Sequence, residues 1–207
     1  MSVDFDIELQ EVGKKYIRNW LFKDISFSLR EKKKLALVGT NGSGKSTLLR
    51  IIAGQTSPSK GKIRYKEAGK NIPLDQAYQH ISWMGPYLEV FPELTLEELF
   101  NLHFRFKAPL LSSIEEIIEK LNLSADKHKM LNYYSSGMLQ RAKVGMALFS
   151  SSQVLFLDEP TSNMDKKNAQ LILRLIEEFL GNRLFVLASN MEREYEAFSH
   201  KLQLGLS

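Results

Sequence analysis

The chain changes its hydrophobic rhythm twice. In the first part, apolar positions come in short runs. Ile25, Phe27 and Leu29 of DISFSLR alternate with polar residues, the period of a strand with one buried face. KLALVG is apolar without alternation and predicts a buried strand. GKIRYK, behind the turn signal SPSKG, predicts another, and ISWMG at 81–85 predicts a short core strand. From Thr95 the spacing becomes helical. LTLEELFNLHFRF and SSIEEIIEKLNL each follow a Thr or Ser start signal with an acid in the first turn. A helical subdomain is expected over approximately 87–145. Strand signals then return in QVLFLDEP and RLFVLAS, separated by the amphipathic helix DKKNAQLILRLIEEFL, which Asp165 opens. The order is β-rich, then helical, then alternating α/β. No internal repeat is visible.

GTNGSGKST, from Gly39 to Thr47, interrupts this pattern between an apolar strand and LLRIIAG, which has helical spacing. Gly39, Gly44, Lys45 and Ser46 fit G-x-x-x-x-G-K-[ST]. Phosphate oxygens must approach several backbone N–H groups at once, and glycine leaves room for that. The helix that follows offers free N–H groups and its positive dipole end. Lys45 is the expected partner of the β and γ phosphates, and Ser46 a ligand of Mg²⁺. Thr40, Asn41, Gly42, Ser43 and Thr47 complete the expected nucleotide contacts. A chance glycine-rich turn is the plain alternative; the strand before and the helix after argue against it.

VLFLDEPTS is the second centre. A carboxylate at the tip of a buried strand, Asp158, can reach Mg²⁺ beside a phosphate loop. Glu159 can orient or deprotonate water. Alone, Asp-Glu-Pro reads as a solvated turn; with the phosphate loop upstream, the catalytic reading is the better one.

Composition narrows the class. The 207 residues suit one domain, or one domain with a subdomain, and 43% are hydrophobic, enough for a sizeable core. No apolar run approaches the roughly 20 residues that span a bilayer, and the acidic start MSVDFDIELQ lacks a signal-peptide pattern. Without cysteine there is neither a disulfide framework nor thiolate chemistry, as fits the cytosol. The net charge of +4 comes from dispersed residues, with small runs at Lys32-Lys33-Lys34, Lys127 to Lys129 and Lys166-Lys167. These read as a solvated surface rather than a nucleic-acid footprint.

One stretch carries a family resemblance. YYSSGMLQRAKVGMALFSSSQVLFLDEPTSNMD closely resembles the signature and Walker-B region of ABC-type ATPases. Tyr134 to Met138 occupies the place of the family's L-S-G-G-Q, and Gln140-Arg141 follows. The resemblance covers nearly the whole chain and implies an α/β fold: a P-loop NTPase of ABC type, with a mixed sheet core, an antiparallel β region and the inserted helical subdomain. It implies ATP and Mg²⁺, and a head-to-tail dimer with a second ATP-binding subunit, identical or related. A separate transmembrane permease would hold the chain, otherwise cytoplasmic, on the inner face of the cell membrane. Ser135, Ser136 and Gly137 would meet the γ-phosphate bound by that second subunit; an ordinary helix cap is the alternative. Tyr16 falls where the family's adenine-stacking aromatic stands, with Trp20 and Phe22 as competitors. Asp165 of SNMD matches an acid that touches the opposite subunit, and it also suits a helix N-cap.

Two positions depart from the family. The expected glutamine before Phe91-Pro92 falls on Pro86, between Gly85 and Tyr87, and none of these offers an amide. Asn190 stands where a histidine is normal. An amide can contact a γ-phosphate but does not titrate near pH 7; Asn190 also suits the end of the strand LFVLAS and a cap on the helix MEREYEAF. His80, His103, His128 and His200 lie elsewhere and read as surface or helix residues. With no added domain expected after KLQLGLS, the pattern favours an exporter-type subunit. ABC-type ATPases that act on ribosomes or nucleic acid usually carry two cassettes or a long coiled coil, and neither is present here. A plain P-loop kinase is the third possibility, and the signature helix before Asp158 argues against it.

Overall fold

The computed structural model describes residues 5–29, 34–86 and 88–205. Tyr87 and part of the run Lys32-Lys33-Lys34 lie outside them. Two compact units are present: Met1–Trp83 with Ser152–Asp158 and Asn182–Ser207, and Met84–Ser151 with Glu159–Gly181.

The first unit holds two sheets. In one, β1 (Phe5–Tyr16) pairs antiparallel with β2 (Asn19–Leu29) and with β4 (Lys60–Glu67), and β4 pairs with the short β5 (Lys70–Ile72). Phe5, Ile7 and Leu9 alternate inward along β1, between Asp6, Glu8 and Gln10. This strand lies in the acidic start MSVDFDIELQ, where the alternation is the stronger signal. The strand expected at DISFSLR is the second half of β2, where Ile25 and Phe27 are half-buried and Leu29 is buried.

The second sheet has the order β6-β7-β8-β3-β9. Its strands are β3 (Lys34–Val38), β6 (Ile81–Met84), β7 (Val154–Asp158), β8 (Leu184–Ser189) and β9 (His200–Gln203). The β3·β8, β3·β9 and β7·β8 pairs are parallel. Strands β7 and β8 are buried throughout, which explains their unbroken apolar runs. Helix α1 (Lys45–Ile52) buries Leu48, Leu49, Ile51 and Ile52 in one core with residues from both sheets. Each such side chain contributes about 1.5–3 kcal/mol by leaving water. Two short helices, α2 (Leu74–Ala77) and α7 (Glu192–Tyr195), complete the unit.

The second unit is helical: α3 (Leu96–Phe104), α4 (Ile114–Lys120), α5 (Ser136–Leu148) and α6 (Lys166–Phe179). Thr95 opens α3 with a full capping box to Glu98, and Ser113 caps α4, as their start signals predict. Ser135 caps α5 and Asp165 caps α6. A Cβ at Gly145 would overlap Leu121, so only glycine lets α5 approach that side chain. The buried Arg141 donates at 2.9 Å to the carbonyls of both Leu121 and Asn122, closing the end of α4. Among the described residues, no helix is long and apolar enough to cross a membrane.

Candidate functional site

Strand β3 ends at Val38 and the loop Gly39–Gly44 leads into α1. Gly44 is the N-cap of α1 at φ 100°, a left-handed conformation that leaves no side chain to cap the helix. The first N–H groups of α1 therefore have no partner within the helix. The buried Lys45 ammonium donates to the carbonyls of Gly39 at 2.9 Å and Thr40 at 3.0 Å, drawing the loop into a ring. Ser43 N–H closes a turn on the Thr40 carbonyl at 3.2 Å. The Ser43 hydroxyl is buried without a hydrogen-bond partner among the described residues. Thr40, Asn41 and Gly42 are exposed, whereas Ser46 and Thr47 sit half-buried in the first turn of α1. A buried cation and an unsatisfied hydroxyl beside the unpartnered N–H groups of a helix start suit a polyanion.

Asp158 is the last residue of β7 and is fully buried. Across β8, the registers Asp158↔Ala188 and Val38↔Ser189 place it almost level with the start of the loop. With neighbouring strands about 4.8 Å apart, the two strand tips stand roughly 10 Å from each other. Asn190 follows β8 directly, and its amide donates to the Asn41 side chain at 2.8 Å. It does not cap the next helix: α7 has Met191 as its N-cap, whose N–H is taken by the Ser189 hydroxyl at 2.9 Å.

Of the three aromatics near the β1–β2 turn, Phe22 is buried in the core and drops out. Tyr16 ends β1, is 55% exposed, and has the Lys14 ammonium 5.5 Å from its ring centre. Trp20 has the Lys15 and Lys23 ammonium groups 5.7 and 5.2 Å from its ring centre. A cavity of about 410 Å³ runs from Trp20 and Leu21 to Leu204 and Gly205. It adjoins the loop: Leu21 packs on Gly44, and Gly205 packs on Ser43.

The second unit gathers another set. Ser135 accepts from Met138 N–H at 3.3 Å as N-cap of α5; Ser135 and Ser136 are exposed and Gly137 is half-buried. A Cβ on Gly137 would lie 3.2 Å from the Asn163 carbonyl, so this helix start packs on the SNMD segment. Asp165 accepts from Asn168 N–H at 2.8 Å and from its side chain at 2.7 Å. The backbone donor of Asn168 above all holds its carboxyl below the usual carboxylate range. Glu159 is half-buried with φ 50°. The buried Gln140 donates to the Glu159 carbonyl at 3.0 Å and to the Ser162 hydroxyl at 3.2 Å.

The remaining candidates are less engaged. Pro86 is exposed. His80 is stacked on Phe5 and bonded to Gln153, His103 faces Ser150 and the Met146 carbonyl, and His128 pairs with Glu97. Among the described residues, no group of three or more His, Cys, Asp or Glu could hold a metal ion by itself.

The family model described as ABC transporter matches residues 22–162, and that span contains both the phosphate loop and Asp158-Glu159. This chain belongs to the ABC transporter family. It is 28% identical over 204 residues to a spermidine/putrescine import ATP-binding protein of Clostridium acetobutylicum, covering 93% of this chain and 56% of that one. It is 34% identical over 174 residues to a cytochrome c biogenesis ATP-binding export protein of Rhizobium etli, covering 82% of this chain and 80% of that one. The chain thus spans about half the length of the import relative and most of the export one. The fold matches that of a putative ABC transporter ATP-binding protein from Pyrococcus furiosus, with TM-score 0.80 and 22% identity over 96% of this chain and 97% of that one.

Three features of this ABC protein are not legible in its motifs. The Asn41–Asn190 bond joins residues 149 positions apart. The support of the loop by Leu204 and Gly205 comes from the two residues just past a short, mostly exposed strand, β9. The bond from Gln140 to Glu159 has one faint signal, a glutamine on a helix otherwise buried through apolar residues and one arginine.

Proposed function

We propose that the chain binds and hydrolyses ATP to drive a membrane transporter, as a cytoplasmic subunit held on the inner membrane face by a separate permease. The observation that carries this reading is the level pairing of two strand tips, with the Lys45 loop on one and buried Asp158 on the other. The phosphate loop from Gly39 to Thr47 holds the triphosphate, and Lys45 exchanges its two carbonyl partners for phosphate oxygens. Ser46 and Asp158 fit Mg²⁺, which takes one carboxylate and a hydroxyl together with phosphate oxygens rather than an all-protein cage. When bound, the ion neutralises charge on the β and γ oxygens.

Glu159 orients and deprotonates the attacking water. Asn190 contacts the γ-phosphate side of the site, and Tyr16 offers its exposed ring to adenine. Ser135, Ser136 and Gly137, at the start of α5, bind the γ-phosphate held by a second ATP-binding subunit, identical or related. Asp165 caps α6 and faces that subunit. The block from about 87 to 145 docks the permease. The relatives named above work in import and in export, so the reading stops at transport and names no cargo.

Glu159→Gln tests the proposal. Phosphate release with saturating MgATP should fall by on the order of 10²-fold or more, as expected for a lost general base. ATP should still bind and should now hold a stable dimer on gel filtration. Wild-type turnover in this variant would place the base elsewhere, and a chain that binds no ATP at all would overturn the whole reading.

A further inference from the structure

Glu159 is held in a conformation that its own sequence disfavours. A residue before proline is biased toward extended backbone, yet Glu159 precedes Pro160 and stands at φ 50°. A non-glycine residue persists there only when its surroundings over-determine it. Two donors converge on its carbonyl oxygen: Ser162 N–H at 3.1 Å, from within the turn, and the Gln140 amide at 3.0 Å, from α5. The same amide reaches the Ser162 hydroxyl at 3.2 Å and the Pro160 carbonyl at 3.5 Å. Gln140 is 7% exposed, and Pro160 and Thr161 are buried. The direction of the Glu159 side chain is thereby tied to one amide of the helix that Ser135 caps.

We propose that Gln140 is a positioning residue for hydrolysis: it fixes the backbone of Glu159 so that the carboxylate is aimed at water. The inference rests on the reading of Glu159 as the base. Gln140 belongs to a unit whose helices have their own apolar core, and Ser162 N–H keeps the Glu159 carbonyl satisfied without it. Losing the amide donors therefore loosens the aim of Glu159 rather than the fold.

The test is a kinetic cycle on the full chain. Gln140→Met keeps the length and removes both N–H donors. Turnover should fall by about 10- to 100-fold, the scale of a misplaced catalytic group. KM for ATP, and the affinity for a fluorescent ATP analogue, should stay within about two-fold, because the phosphate loop is untouched. In a Glu159→Gln background, Gln140→Met should change the residual rate by less than about two-fold, since the two residues act as one unit. A merely structural role would lower affinity and turnover together and would add to the Glu159→Gln loss; either result overturns the proposal.

Gln140→Glu gives a second readout if Gln140→Met folds poorly. Its carboxylate faces carbonyl oxygens and donates nothing until it is protonated, so its activity relative to wild type should recover as the pH falls from 8 to 6. A flat ratio counts against the inference. If Glu159→Gln itself turns over like wild type, the reading of the base fails first. If Glu159→Gln is slow while Gln140→Met is fast, only the role of Gln140 falls.

Discussion

Gly44→Ala puts a number on the preorganisation of the phosphate loop. At φ 100° an L side chain is strained, at about 1–2 kcal/mol for a left-handed residue. The new Cβ would also lie 2.8 Å from Leu21 Cγ, 2.9 Å from Leu21 Cδ2 and 3.0 Å from Phe22 Cδ1. Overpacking of this kind costs about 1–3 kcal/mol. Together the two terms come to about 2–5 kcal/mol. The loop has two ways to respond. If it keeps its shape, the strain lowers stability, and about 2–4 °C of melting temperature is lost per kcal/mol in a chain of 207 residues. If position 44 of the variant relaxes to negative φ, the N–H groups at the start of α1 shift and the cost appears as affinity, ten-fold for each roughly 1.4 kcal/mol. Thermal melts and titration with a fluorescent ATP analogue measure the two parts, and their sum should fall in the stated range. Leu21→Ala in the same chain should return the share of the packing part that Leu21 causes, and leave the Phe22 contact and the conformational part. A Gly44→Ala protein that melts within about 1 °C of wild type and binds ATP within about three-fold would refute the reasoning.

Asn190→Asp separates two roles of Asn190. The Asn41 amide can turn round and donate to the new carboxylate, so the clasp survives, while a γ-phosphate would be repelled; turnover should fall, and wild-type turnover would mean that Asn190 acts only through Asn41. Wild-type turnover at saturating MgATP should show no histidine-like step between pH 6 and 8, because Asn190 does not titrate; a step near the ordinary histidine value would assign a histidine to the reaction. Burial lowers the His103 pKa below its ordinary value of about 6.5. Between the folded and unfolded values the unfolded chain binds more protons, so stability present above about pH 6.5 is lost as the pH falls. Urea melts of His103→Asn should show a shallower loss from pH 7 to 5, and a parallel loss would discount His103.

The strands that feed the chemistry were legible because burial on both faces leaves an unbroken apolar run, as in KLALV, VLFLD and LFVLAS. The helix starts at Thr95 and Ser113 were legible because capping is local chemistry. Strand β1 was hidden by its acids, although these are the outward half of its alternation. Strand β9 was hidden because only Leu202 of its four residues is even half-buried. The Asn41–Asn190 and Gln140–Glu159 bonds depend on tertiary neighbours, and no local rule selects one polar partner among many.

The position of β3 in its sheet also sets a timetable. Its hydrogen-bonding neighbours are β8 and β9, drawn from residues 184–203, so both edges stay open until almost all of the described chain has been made. The β1–β2 and β1–β4 pairings need only the first 67 residues and can close early. At about 5–20 residues per second, ribosomal synthesis leaves β3 without its partners for on the order of ten seconds. An apolar strand with two unpaired edges is a template for aggregation during that interval. Nucleotide offers no rescue, because a ligand stabilises only a site that already exists. The residues directly after β9 also pack on the phosphate loop, so nascent chains stalled before residue 184 should need a chaperone rather than ATP to stay unaggregated.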